Sequence, residues 1–212
     1  MRYTDRRQAG RLLGGEIAAL SPSDPVVYGL PRGGVPVAFE VADALDCPLD
    51  VLVVRKLGVP SQPELAMGAL GEGGVVVSND EIIALARIDR ETFEAVVEVE
   101  TRALETRVAQ YRSEAPPIDP SGHTAIVVDD GLATGSTARA AIEVLRHQGA
   151  AAVWLAVPVA PRGDLGGVED TADRLVILSR PMGFGAVGVW YRDFTQTDDE
   201  EVRDLLAESR LA

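Results

Sequence analysis

Two carboxylates close an apolar run and open a small, hydroxylated loop in the string Ile126-Val127-Val128-Asp129-Asp130-Gly131-Leu132-Ala133-Thr134-Gly135-Ser136-Thr137. Residues 124–128 are mostly β-branched and read as a buried strand. A helical pattern follows from Thr137 to Gln148, with Gly149 as its stop. Adjacent strand residues point to opposite faces, but the chain turns at a strand's end, so Asp129 and Asp130 can both reach one ligand. Successive N–H groups entering a helix, with the positive end of its dipole, form an anion cradle. Acids beside such a cradle suit a ligand with free hydroxyls at one end and a phosphate at the other, as in ribose 5-phosphate. An isolated Asp-Asp is more often a turn with caps; the whole string is what favours a site.

Three other stretches carry chemistry. Gly29-Leu30-Pro31-Arg32-Gly33-Gly34 follows an apolar strand and lacks the Gly-x-Gly-x-x-Gly spacing of a dinucleotide fold. No Gly-x-x-x-x-Gly-Lys-Ser/Thr is present, which gives no support to a nucleoside-triphosphate P-loop. Val54-Arg55-Lys56-Leu57-Gly58 places two cations, including the only lysine of the chain, after a second apolar strand. The Gly- and Pro-rich stretch from Pro60 to Gly74, with Glu64, Met67 and Glu72, reads as a mobile loop able to close over a ligand. Pro181 to Phe194 carries Phe184 between glycines, which is either a stacking platform or a core anchor.

Composition excludes several classes. The net charge of −13 opposes sequence-independent binding to nucleic acid. One cysteine, Cys47, forbids an intrachain disulfide and reads as a buried structural thiol, and with only two histidines a structural zinc site has too few ligands. No apolar run reaches the ~20 residues of a membrane span, and the N-terminus lacks the apolar core of a secretory signal. The expectation is a cytoplasmic protein with no membrane or nucleic-acid partner.

The elements that must position these residues alternate regularly. Helical spacing over 5–20, capped by Thr4 or Asp5, precedes a strand at 26–30, a helix from Gly33-Gly34 to about Leu45, and a strand at 49–54. A hairpin or loop with short strands covers 66–77, and 81–112 is mostly helical, ended by Pro116-Pro117. Strands at 124–128, 152–159 and 174–178 and a closing amphipathic helix at 198–211 complete the pattern. Apolar strands alternating with helices imply an α/β fold with a parallel sheet covered on both faces, whose ligands bind at the carboxyl ends of the strands.

The string at 126–137 resembles the PRPP-binding signature of type I phosphoribosyltransferases, PRPP being 5-phosphoribosyl-1-pyrophosphate. The resemblance implies that Asp129 and Asp130 hold the ribose hydroxyls and that Ala133, Thr134, Gly135, Ser136 and Thr137 bind the 5′-phosphate. Pro31, Arg32, Gly33 and Gly34 resemble the pyrophosphate loop of that family, whose members often hold a cis peptide there; Pro31–Arg32 is the corresponding bond. Phe184 matches an acceptor-stacking Phe of the hypoxanthine-guanine branch. Leu30 to Pro36 and Val54 to Gly58 are most similar to a set of uncharacterised bacterial phosphoribosyltransferase-like proteins. The implied architecture is one phosphoribosyltransferase domain, with a core over about 22–180 and a small hood from 1–21 and 181–212.

The implied reaction is transfer of the phosphoribosyl group from PRPP to a nitrogen acceptor with release of pyrophosphate, in nucleotide salvage or related metabolism. Arg32, Arg55 and Lys56 would offset charge on the leaving group. Mg²⁺ would be held largely by substrate oxygens, with Asp129 and Asp130 in reach. Two positions depart from the signature. Gly131 stands where a branched apolar residue is usual. Ala133 stands where purine enzymes often carry an acid proposed as base, which supports as alternatives a non-catalytic PRPP-binding regulator or a ribose-phosphate hydrolase or phosphorylase. The acceptor stays undefined, and a homo-oligomer is compatible with the chain.

Overall fold

The computed structural model describes residues 2–112, 116–163 and 165–211, with the backbone alone at Glu64. Helix α1 (Arg6–Ala19) is capped by the Asp5 side chain, which accepts from the Gln8 N–H. Strand β1 (Pro25–Gly29), helix α2 (Gly34–Leu45) and strand β2 (Leu49–Val51) follow. Strands β3 (Val54–Val59), β4 (Gln62–Gly71) and β5 (Val75–Ser78) come next, a 3₁₀ turn at Glu72–Gly74 joining the last two. Helices α3 (Asp80–Leu85) and α4 (Arg90–Tyr111) are capped by Asn79 and Asp89. Then come β6 (Thr124–Val128), α5 (Ser136–His147), β7 (Ala152–Val159), the single turn α6 (Val168–Thr171), β8 (Arg174–Ser179), a 3₁₀ turn at Val187–Trp190 and α7 (Asp199–Ser209).

Five strands form a parallel sheet in the order β2-β1-β6-β7-β8. Its residues alternate between two cores, as a two-residue period requires. Val27, Ile126 and Val128 pack with α1, α2 and α7, whereas Val26, Tyr28, Ala125 and Val127 pack with α5. Both faces are covered, so the strands are continuously apolar. No helix among the described residues is long and apolar enough to cross a membrane.

Two expectations are corrected. The apolar run 49–54 is not one strand: β2 stops at Val51, and Leu52 and Val53 lead into a separate antiparallel sheet, β3-β4-β5. Arg55 and Lys56 therefore sit within a strand and not in a loop after one. The stretch from Pro60 to Gly74 is mostly β4, which pairs with β5 as the hairpin expected over 66–77. Met67 is fully buried there. Gly71 is a glycine because a Cβ would lie 2.4 Å from Cγ1 of Val144 on α5.

The two chain ends meet. The Tyr3 N–H donates to the Trp190 carbonyl at 2.8 Å, and the Arg192 and Asp193 N–H groups donate to the Tyr3 and Thr4 carbonyls. Tyr3 and Tyr191 pack with ring centroids 5.5 Å apart, joined by Phe184, Val187 and Trp190 in a small apolar cluster.

Candidate active site

The ends of β1 and β6 lie side by side, and the residues that follow them interlock. A Cβ built on Gly34 would lie 2.6 Å from the Val128 carbonyl and 2.9 Å from the Asp129 Cα; one on Gly33 would lie 2.1 Å from Oδ2 of Asp130. Only hydrogen fits at either place, so the glycine pair at the start of α2 and the acid pair at the end of β6 form one unit. Asp129 and Asp130 both turn toward this helix start. The Pro31–Arg32 peptide just before it is cis.

The acid pair is short of positive charge. Burial and the neighbouring Asp130 push the Asp129 carboxyl well above its ordinary range. Its Oδ1 accepts one backbone hydrogen bond, from the Asp130 N–H at 2.8 Å. Burial also raises Asp130, opposed by Arg6. Arg6 Nε and Nη2 both approach Asp130 Oδ2 at 2.9 Å. The same guanidinium donates to the Thr195 carbonyl at 2.7 Å and lies 3.9 Å above the Phe194 ring. Tyr191 donates its hydroxyl to the Asp130 carbonyl at 2.5 Å. Sequence reading missed Arg6, which lies in no motif, and gave Tyr191, within the 181–194 stretch, no role beyond the core.

The loop 133–137 enters α5 with Gly135 at φ 75°, a left-handed conformation that favours glycine. A Cβ there would also lie 2.0 Å from the Leu165 carbonyl. Thr134 and Ser136 hydroxyls lie 3.2 Å apart, and Ala133, Thr134 and Thr137 are exposed. Gly131 is explained by its neighbour: a Cβ would meet Cγ1 of Val187 at 2.5 Å. The branched side chain expected at that point is supplied from the 3₁₀ turn instead.

The two cations of β3 open onto different clefts. Lys56 lines one of about 270 Å³ with Thr134, Ser136 and Arg139. Arg55 lines another of about 90 Å³ with Pro31, Thr137 and Arg107, and is ion-paired to Glu100 at 2.6 Å. Arg32 reaches toward Asp199, 3.9 Å away. Phe184 is half-buried against the Tyr3–Tyr191 cluster, its carbonyl accepting from Trp190 Nε1 at 2.9 Å. The structure thus gathers the acid pair, the glycine loop, the 133–137 loop, Arg55 and Lys56 around one edge of the parallel sheet. Phe184 packs in the same cluster as Val187, the residue that abuts Gly131.

A parallel sheet covered by helices on both faces defines the class of open α/β proteins whose ligands bind at the carboxyl ends of the strands. Within that class, the chain belongs to the phosphoribosyl transferase domain family, whose model it matches over residues 5–189. A Mycobacterium tuberculosis protein, provisionally named a phosphoribosyl transferase, is 50% identical over 200 residues, 94% of this chain and 45% of the relative. The chain therefore spans less than half the length of that curated relative. The crystal structure of TT1426 from Thermus thermophilus is similar at 43% identity, covering 98% of this chain and 99% of that one, with a TM-score of 0.92. A hypothetical protein from Neisseria gonorrhoeae, solved with bound ppGpp, shares the fold at a TM-score of 0.52, with 12% identity over 99% of each chain.

Proposed function

We propose that the protein is a Mg²⁺-dependent phosphoribosyltransferase that displaces pyrophosphate from C1 of PRPP with a nitrogen nucleophile. The observation that carries this reading is the interlock of Asp129-Asp130 with Gly33-Gly34, beside the loop Ala133 to Thr137. The acid pair accepts hydrogen bonds from the ribose 2′ and 3′ hydroxyls. Ala133, Thr134, Gly135, Ser136 and Thr137 surround the 5′-phosphate with backbone N–H groups and hydroxyls. Pro31 to Gly34 present backbone to the diphosphate, and Arg32, Arg55 and Lys56 offset the charge that grows on it as the C1–O bond breaks.

The acid pair also fits Mg²⁺. Among the described residues Asp129 makes no ion pair, and desolvation followed by repulsion from Asp130 raises it, so added positive charge is favourable there. When bound, the ion neutralises diphosphate oxygens; most of its ligands would be those oxygens and water. Arg6 fixes the Asp130 carboxylate, and Tyr191 fixes the backbone behind it, so the pair is preorganised for the ribose.

The acceptor side is bounded by Phe184, Val187 and Ala133. Ala133 offers no proton acceptor, which favours a nucleophile that needs no base at this position: an amine free at neutral pH, an already anionic ring, or water. The test is pyrophosphate release from Mg²⁺-PRPP measured across a panel of bases, amines and water. Acceptor-dependent release supports transfer, release in water alone indicates a hydrolase, and binding without release indicates a regulator.

A further inference from the structure

We propose that Arg107, in the C-terminal half of α4, is a further substrate-contacting residue that pairs with Arg55 to hold a phosphoryl group of the leaving diphosphate. The inference rests on the PRPP reading and extends its machinery to an element outside the sequence motifs.

Three observations lead to it. The cleft of about 90 Å³ lies where Pro31, the Leu52–Arg55 segment and Thr137 meet, and Arg107 closes it from α4. The cleft has about a third of the volume of the 270 Å³ cleft beside Lys56, which suits a small anion better than a nucleobase with its ribose. Leu30, Leu52 and Val53 make its floor apolar, which strengthens any charge interaction made there. Pro31 belongs to the cis loop and Thr137 to the first turn of α5, so the cleft lies between the glycine loop and the phosphate cradle.

Arg107 is directed inward by helix geometry. It shares a face with Leu104 and Tyr111, three residues before and four after, and both are buried. The neighbouring arginine of this helix, Arg102, lies on the opposite side, 72% exposed and paired to Glu98.

The charge distribution is that of a site awaiting an anion. Two guanidiniums bound one small cleft in a chain of net charge −13, and like charges converge there against their own repulsion. Arg55 rests on Glu100 at 2.6 Å. Among the described residues Arg107 makes no ion pair; its charge acts on the neighbouring Tyr111 phenol, which burial raises and Arg107 opposes. Tyr111 in turn donates to Asp199 at 2.9 Å, the carboxylate toward which Arg32 extends. Arg32 and Arg55 thus lean on carboxylates of α7 and α4, and a diphosphate bound beside Arg107 would take over from those partners.

The experiment measures binding of Mg²⁺-PRPP, Mg²⁺-pyrophosphate and ribose 5-phosphate by calorimetry in four proteins: wild type, Arg107→Met, Arg107→Lys and the control Arg102→Met. Thermal melts check the fold of each. Loss of a charge-assisted contact weakens binding about 10- to 100-fold. That loss is expected for PRPP and pyrophosphate in Arg107→Met, with partial retention in Arg107→Lys, and with ribose 5-phosphate and the Arg102→Met control unchanged. Wild-type pyrophosphate and PRPP affinity in folded Arg107→Met would overturn the assignment while leaving the PRPP reading intact. Equal loss of all three ligands would likewise overturn it, since it would make Arg107 a general support of the fold. Failure of the wild-type protein to bind either PRPP or pyrophosphate would overturn the PRPP reading and this assignment together.

Discussion

Two clusters in this molecule contain the same groups, two carboxylates and one arginine, and are satisfied to different degrees. At the base of the β3-β4-β5 sheet, Arg112 grips Asp50 through Nη1 and Nη2 at 2.9 and 3.1 Å. Asp50 also accepts from the Val51 and Ile118 N–H groups at 2.8 Å each, and Glu72 closes on Arg112 Nε from the turn after β4. Asp50 is saturated; Glu72 Oε2 and Arg112 Nε, although Nε is ion-paired to Glu72, make no hydrogen bond among the described residues. At the end of β6, Arg6 serves Asp130 alone, and Asp129 has a single backbone donor. A carboxylate whose lone pairs are filled by its own chain ties elements together; one left short of donors and cations is available to a ligand. On that ground the first cluster is structural and the second a candidate site, although composition alone does not separate them.

That contrast breaks first at Arg112. Arg112→Met leaves Asp50 buried and without its cation, and should destabilise the fold by about 3–5 kcal/mol, read as a lowered denaturant midpoint. The site cluster should respond in the opposite sense. Asp129→Asn removes a half-buried, repelled carboxylate and should leave stability at or above that of the wild type.

The pH dependence sharpens the same point. Asp129 and Asp130 have folded values above the ordinary carboxylate range, so the folded state holds more protons than the unfolded one across that window. Their contribution to stability therefore falls as pH rises from the ordinary carboxylate range to the raised values, and is level above it. Urea melts from acid to neutral pH should show that slope reduced in Asp129→Asn with Asp130→Asn. An identical slope in wild type and double variant would contradict the raised values.

A smaller and more local contrast lies in the glycine pair. At Gly34 an added methyl meets backbone, the Val128 carbonyl and the Asp129 Cα, so Gly34→Ala should lower both stability, by about 1–3 kcal/mol, and PRPP affinity. At Gly33 the first obstacle is the Asp130 carboxylate itself. Gly33→Ala should displace that carboxylate from Arg6 and weaken PRPP binding with less change in the melt. Equal destabilisation by the two substitutions would show that the obstruction is shared.

Much of the site was legible because its parts are short and contiguous. The acid pair, the loop to Thr137 and the glycines at 33 and 34 each occupy one stretch, and the elements that hold them follow apolar periodicity. What escaped depends on pairs far apart in the chain. Arg6 meets Asp130 across 124 positions and Arg112 meets Asp50 across 62, and nothing local marks either arginine. The stretch 60–74 is more regular than its composition suggests, for a different physical reason. Its glycines suggested looseness, but Gly68 and Gly71 are small because β5 and α5 press against them, with the Val77 carbonyl oxygen and Val144 Cγ1 each 2.4 Å from where a Cβ would be. The misplaced end of the second strand follows from burial: Leu52 and Val53 are as apolar and enclosed as the strand before them, so hydropathy gives no sign of where pairing stops.

The central claim is that the under-satisfied acid pair is the ribose-binding element of a PRPP site. Calorimetric titration of Mg²⁺-PRPP into wild type and into the Asp129→Asn, Asp130→Asn double variant tests it most directly. Saturable binding by the wild type, lost in a double variant whose melt shows it folded, is the predicted result. Unchanged PRPP affinity in the folded double variant would contradict it.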